Sequence, residues 1–171
     1  MTGGNRIRLQ RILREVEGYL EIDMPQAALE ALDRIKEPGT FRGQQLYLTG
    51  EALRALERYS EAIAPLEQAA DLQPSNLRIW LALGWCQKRT GRLDLAIEAL
   101  ERAEEVAPDE AVVPYNLACY WSLAGKKDQA LTYLSRAIAM DPEFRERIHE
   151  EPDFDPIRSD PEFRALTEII V

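Results

Sequence analysis

An all-α fold of stacked helix pairs is predicted by three features of this sequence. Apolar residues recur at helical spacing through most of its 171 residues, the strongest columns return every 34 residues, and a proline stands near the end of each of the last three units. A period of this length means that each unit buries its apolar side only against its neighbours, so the units stand or fall as an array.

The units start at Leu9, Gly43, Leu77 and Ala111. Their second helices carry the clearest columns. Position 20 reads Ala28, Ala62, Ala96 and Ala130, position 24 reads Leu32, Leu66, Leu100 and Leu134, and position 27 reads Ile35, Ala69, Ala103 and Ala137. Offsets of four and three place the three columns on one helical stripe, where small alanines let helices approach and the leucine fills the space between them. The first helices vary more but keep a stripe: Leu46, Gly50 and Leu53, then Trp80, Leu83, Gly84 and Gln87, then Leu117, Ala118 and Trp121. Gly50 and Gly84 each cost about 1 kcal/mol of helix propensity, which close helix contact is expected to recover. Gly91 and Gly125 suit the left-handed residue that ends a helix inside a unit, and Pro74, Pro108 and Pro142 stop the second helices.

The unit at 9–42 is degenerate. Glu15 stands in an apolar column and "KEPGTF" ends the second helix early, although Ile12, Val16, Tyr19, Ala28, Leu32 and Ile35 keep the phase. The register thus gives an array over 1–142, with units 9–42, 43–76, 77–110 and 111–144, and a C-terminal capping and acidic segment over 143–171. A fifth unit begins at Arg145, with Ile148 in the tryptophan column, and Pro152 cuts its helix short. Pro156 and Pro161 each suit a first helical position with Asp155 and Asp160 as caps, and a last helix over 161–170 presents Phe163, Leu166 and Ile170 to cover the end of the array.

These columns resemble the tetratricopeptide repeat, whose pattern is Trp-x2-Leu-Gly-x2-Tyr, then Ala-x3-Phe, then Pro. The unit at 77–110 matches with Trp80, Leu83, Gly84, Ala96, Leu100 and Pro108, departing where Gln87 replaces the tyrosine and Leu100 the phenylalanine. The tail "PDFDPIRSDPEFRAL" is similar to segments that follow the last repeat in bacterial proteins of that family. The resemblance implies a right-handed superhelix of antiparallel helix pairs, with first helices lining a concave face that holds an extended peptide or a partner helix.

Carried onto this register, the groove positions give ten candidate peptide-binding residues: Tyr47, Glu51, Arg78, Leu81, Trp85, Lys88, Arg89, Tyr115, Asn116 and Cys119. Trp85 stands out, because Trp80 already fills the family's structural column. Arg54, Arg78, Lys88 and Arg89 lie on or beside this groove opposite Glu17, Glu21 and Glu51, a locally basic floor suited to acidic ligand groups. The family's carboxylate clamp for chaperone tails is missing. Its positions hold Leu13, Glu17, Leu48, Arg78 and Ala82 in one frame and Tyr47, Glu51, Ala82, Val112 and Asn116 in the other.

Composition narrows the partners. Thirty acidic against 21 basic residues give a net charge of -9, which opposes a nucleic-acid ligand. No segment approaches a membrane span, the N-terminal stretch lacks the apolar core of a secretion signal, and Cys86 and Cys119 lie in apolar helical runs as buried thiols, so a cytoplasmic protein is expected. A single histidine, His149, removes His-rich metal sites, and there is no glycine-rich phosphate loop. Asp153 and Asp155, set among prolines, read as helix caps rather than as an acid-base pair. The expectation is therefore a non-enzymatic adaptor or scaffold without cofactor or metal, binding a protein or peptide partner. The alternative is a self-assembling module acting through its convex face or its termini, where Ile169, Ile170 and Val171 are apolar.

Overall fold

Four turns decide the architecture, and they are the same turn. In the computed structural model, which describes residues 3–168, position 15 of each unit has positive φ: Asp23 at 55°, Glu57 at 57°, Gly91 at 76° and Gly125 at 69°. The following amide then reaches back to the carbonyl five residues earlier, as Met24 N to Tyr19 O (2.8 Å), Arg58 N to Leu53 O (2.9 Å), Arg92 N to Gln87 O (2.8 Å) and Lys126 N to Trp121 O (2.9 Å). This is the Schellman arrangement, which satisfies carbonyls that a helix end leaves bare. Glycine adopts the left-handed conformation without cost, whereas Asp23 and Glu57 adopt it against a penalty of about 1 kcal/mol.

The helices between these turns fall into two compact units, residues 1–92 and 93–171. The first contains α1 (Gly3–Glu21), α2 (Pro25–Leu32), α3 (Arg42–Ala55), α4 (Tyr59–Leu72) and α5 (Leu77–Arg89). The second contains α6 (Leu93–Val106), α7 (Val112–Leu123), α8 (Lys127–Met140), α9 (Phe144–Ile148) and α10 (Pro161–Thr167). All regular structure among the described residues is helical, including 3-10 turns at Gly39–Phe41 and Pro152–Phe154. In the first unit α1 pairs with α2 and α3 with α4; in the second α7 pairs with α8. The helices α4, α6 and α8 end at Leu72, Val106 and Met140, two residues before Pro74, Pro108 and Pro142.

The repeated columns form the cores. Ala28, Ala62, Ala96 and Ala130 are all at 0% exposure, and Leu66, Leu100 and Leu134 are equally enclosed. Gly50 explains itself by contact: a Cβ there would run into the side chain of Leu66 on the paired helix. Gly50→Ala should therefore destabilise the first unit by about 1–3 kcal/mol, as overpacking does. A denaturation midpoint equal to that of the wild type would show that Leu66 moves aside freely.

The degenerate repeat 9–42 keeps its core despite its short second helix. α2 stops at Leu32, yet Ile35 is buried beyond it with Leu9, Ile12, Leu13 and Val16. Glu15 is not a bare charge in an apolar column, because it accepts from Arg34 Nη1 at 2.8 Å and from the Tyr19 hydroxyl at 3.4 Å. The Arg34 contact is the chief reason its carboxyl sits below the usual range.

The C-terminal segment departs from expectation at one proline. No helix starts at Pro156; residues 155–159 form turns, and Asp155 accepts from Arg158 Nε (2.9 Å) instead of capping. Pro152 is the proline at a helical start, with Glu151 accepting from the Asp153 amide at 3.2 Å. The difference is set by Arg158, whose guanidinium donates to the carbonyls of Ile148 (3.3 Å), His149 (3.1 Å) and Glu151 (2.7 Å), closing the end of α9 and fixing the chain in a turn. Asp160 does cap, accepting from the Glu162 amide at 2.8 Å, and that bond together with Lys127 lowers its carboxyl's pKa. Phe163 is buried on α10 and Leu166 half-buried, while Ile170, like Ile169 and Val171, lies outside the described residues.

Candidate peptide-binding face

In the first unit, α3 and α5 are neighbouring first helices and carry the charged and aromatic candidates in two stripes. On α3 the spacing of four and three aligns Tyr47, Glu51 and Arg54; on α5 Arg78, Leu81, Trp85 and Lys88 align by three, four and three. Glu51 and Arg54 form a two-pronged ion pair, with Nε to Oε1 at 2.8 Å and Nη2 to Oε2 at 3.0 Å. Tyr47 is half-buried, and its phenol is pushed up to about 12 by burial first and by Glu51 second, with Arg78 and Arg54 opposing. Behind them Cys86 is fully buried and its thiol is pushed up to about 11, again chiefly by burial. A thiol in that state is a packing group rather than a nucleophile.

Trp85 is 39% exposed, with the Lys88 ammonium 4.8 Å from its ring centroid. An aromatic held by a cation on one side and open to solvent elsewhere offers apolar contact area at little ordering cost. Trp80, by contrast, donates its indole N–H to the Pro74 carbonyl (2.8 Å) and is half-buried against Leu46, Ala69, Ala70 and Ile79, so it packs on the core while Trp85 faces solvent. Leu81 is half-buried and Arg78 exposed. Arg89 points elsewhere: its guanidinium lies 5.1 Å from the Tyr59 ring, over a shallow concavity lined by Glu57, Arg58, Tyr59, Ser60 and Glu61.

In the second unit the candidates on α7 are mostly covered. Tyr115 is only 7% exposed, stacked on Phe144 at 4.4 Å and met edge-on by Phe154 at 5.9 Å, and burial raises its phenol pKa. Cys119, one turn further, is 3% exposed, and Asn116 beside them is half-buried. Phe144 and Phe154 were not among the sequence candidates. The signal that could have found them is the pair of matching "PEF" and "PDF" triplets, each setting a phenylalanine two residues after a proline.

The stacked pairs, identical turns and periodic alanine columns define a helical-repeat protein. More specifically, the chain has the stacked helix-pair fold of the tetratricopeptide repeats, and the family's sequence model matches residues 53–113. Superkiller protein 3 of Schizosaccharomyces pombe is 29% identical over 84 residues, a match that spans 49% of this chain and 6% of that protein. Among solved structures, MamA superposes with a TM-score of 0.73 at 22% identity over 81% of each chain. YrrB, described as a TPR protein with an unusual peptide-binding site, gives 0.71 at 24% identity over 79% of this chain and 70% of its own. The Yersinia enterocolitica type III secretion chaperone SycD, solved with a peptide of the translocator YopD, gives 0.59 at 24% identity over 67% and 90%. Among the described residues no helix is long and apolar enough to cross a membrane, and no group of three or more His, Cys, Asp or Glu could hold a metal ion.

Proposed function

We propose that this chain is a non-catalytic protein-binding scaffold that holds a peptide or a partner helix on the α3–α5 face of its first unit. The exposed Trp85 ring carries the reading, with Leu81 beside it on α5 and the charged groups Arg78, Glu51 and Arg54 along the same two helices. The ligand these groups suit has an apolar side chain for Trp85 and Leu81 and an acidic side chain for Arg78 and Lys88. YrrB and the SycD complex, both of this fold and both described with peptide sites or peptides, support the class of ligand. On α7 of the second unit, Tyr115 and Cys119 are packing groups in this proposal rather than contact residues.

A peptide display library selected against the chain tests the reading. Trp85→Ala should weaken selected peptides by at least about 1 kcal/mol, the loss expected for a contact anchor, with thermal unfolding unchanged. Peptides that bind the variant as well as the wild type would place recognition elsewhere. Loss of the fold together with binding would reassign Trp85 to the core.

A further inference from the structure

In α3 and α5 the side chains at positions 3, 6 and 10 of the first helix pack back toward the preceding helix pair. In α3 they are Gln45, Leu48 and Ala52, and Gln45 donates to the Ile35 carbonyl (3.2 Å) while Leu48 and Ala52 are buried in the cluster built by α1 and α2. In α5 they are Ile79, Ala82 and Cys86, all buried, with Ile79 set against Leu46, Ala69 and Ala70. In α1 the same positions are Arg11, Arg14 and Gly18, and both arginines are exposed. The stripe continues toward the N-terminal end through Ile7 and Gly4, and Ile7 is 70% exposed, beyond any other large apolar side chain described. Added Cβ atoms at Gly4 and Gly18 would meet nothing within 4 Å, so a partner element has room to approach the backbone at both ends of the stripe. Spacings of three and four from Gly4 through Ile7, Arg11, Arg14 and Gly18 are those of a helix-packing seam.

Charge identifies what fits there. The first unit holds 13 basic and 12 acidic residues, whereas the second holds 8 basic and 18 acidic, so the whole negative excess lies in the second. Arg6, Arg8 and Arg14 form no ion pair among the described residues, and Arg11 lies near Glu15, whose principal partner is Arg34. On and beside α9, Glu143, Glu146 and Glu150 are exposed and likewise without ion-pair partners there, while the neighbouring Arg147 lies over the Phe144 ring at 5.3 Å. We propose that copies of this chain associate head to tail, the backward face of α1 in one copy docking through Ile7, Arg11 and Arg14 onto Glu143, Glu146 and Glu150 of a second copy. Because the two surfaces differ the contact is heterologous, and each copy in a dimer keeps one unused surface, so assembly extends past the dimer.

Light scattering and sedimentation of the full chain test this. At low salt the mean mass should rise with concentration and pass beyond a dimer, then fall toward the monomer in molar salt, where the screening length drops to about 3 Å. Arg11→Glu/Arg14→Glu should weaken association by about tenfold or more, since like charges placed opposite one another repel. Glu143→Lys/Glu146→Lys/Glu150→Lys should do the same from the other side. In an equimolar mixture the reversed α1 of one variant complements the reversed α9 of the other, and their two unaltered ends complement each other as well, so mixing should restore association beyond the dimer. Thermal unfolding of each variant alone checks that the monomer is intact. A wild type that stays monomeric at low salt and high concentration would overturn the proposal, as would association undiminished in either variant; α1 would then carry a polar cap only.

Discussion

Phe154→Ala should lower the stability of the second unit by about 3–5 kcal/mol, the cost of truncating a buried aromatic ring. Phe154 is fully enclosed, edge-on to Tyr115 at 5.9 Å and tilted against Phe163 at 5.6 Å, so the truncation empties the junction of α7, the 3-10 turn and α10. The loss is local in a repeat protein, where each unit leans only on its neighbours. Hydrogen exchange should accelerate first over 144–168 and α7, and last over α1 and α2. Tyr115 should become accessible in step, because Phe144 and Phe154 are what cover it. A stability change below about 1 kcal/mol, the range of ordinary surface substitutions, would show that the ring is not part of a packed core.

That junction also marks where sequence reading stops. The alanine and leucine columns were legible because burial demands the same small and branched residues at the same offsets in every unit. Gly91 and Gly125 were legible for a related reason, since glycine advertises positive φ. Asp23 and Glu57 adopt the same conformation without advertising it; the periodic backbone is visible only in the Schellman bonds that follow them. In the tail, the proline rule named both Pro156 and Pro161 as helix starts, and local propensity could not choose between them. Arg158 chose, by gathering three carbonyls from residues seven to ten positions earlier, a tertiary event without local signature. The candidate face shows the same division. Register placed Tyr47, Glu51, Arg78, Leu81 and Trp85 on two adjacent helices, but the covering of Tyr115 by residues 29 and 39 positions later depends on how the tail folds back.

Leu100→Ala is expected to cost about 2–5 kcal/mol, and the place within that range measures how well the surroundings collapse. Leu100 is at 0% exposure in α6, between Ala96 and Ala103 of the same stripe, both equally enclosed. Alanine neighbours have no further side-chain atoms to lean into the space, so relaxation is limited and the cavity term stays large. Leu66 occupies the same column in the first unit and lies directly against Gly50, where an open helix surface brings backbone close to the leucine methyls. Leu66→Ala should therefore leave a cavity bounded by glycine on one side, and its cost should equal or exceed that of Leu100→Ala. Urea unfolding of both variants decides the matter, read as the midpoint shift at constant slope. Losses near the top of the range in both would establish the column as the common structural element of the two units. A loss below about 1 kcal/mol at Leu100 would mean that the second-helix stripe assigned from the 34-residue register is not what holds the second unit together.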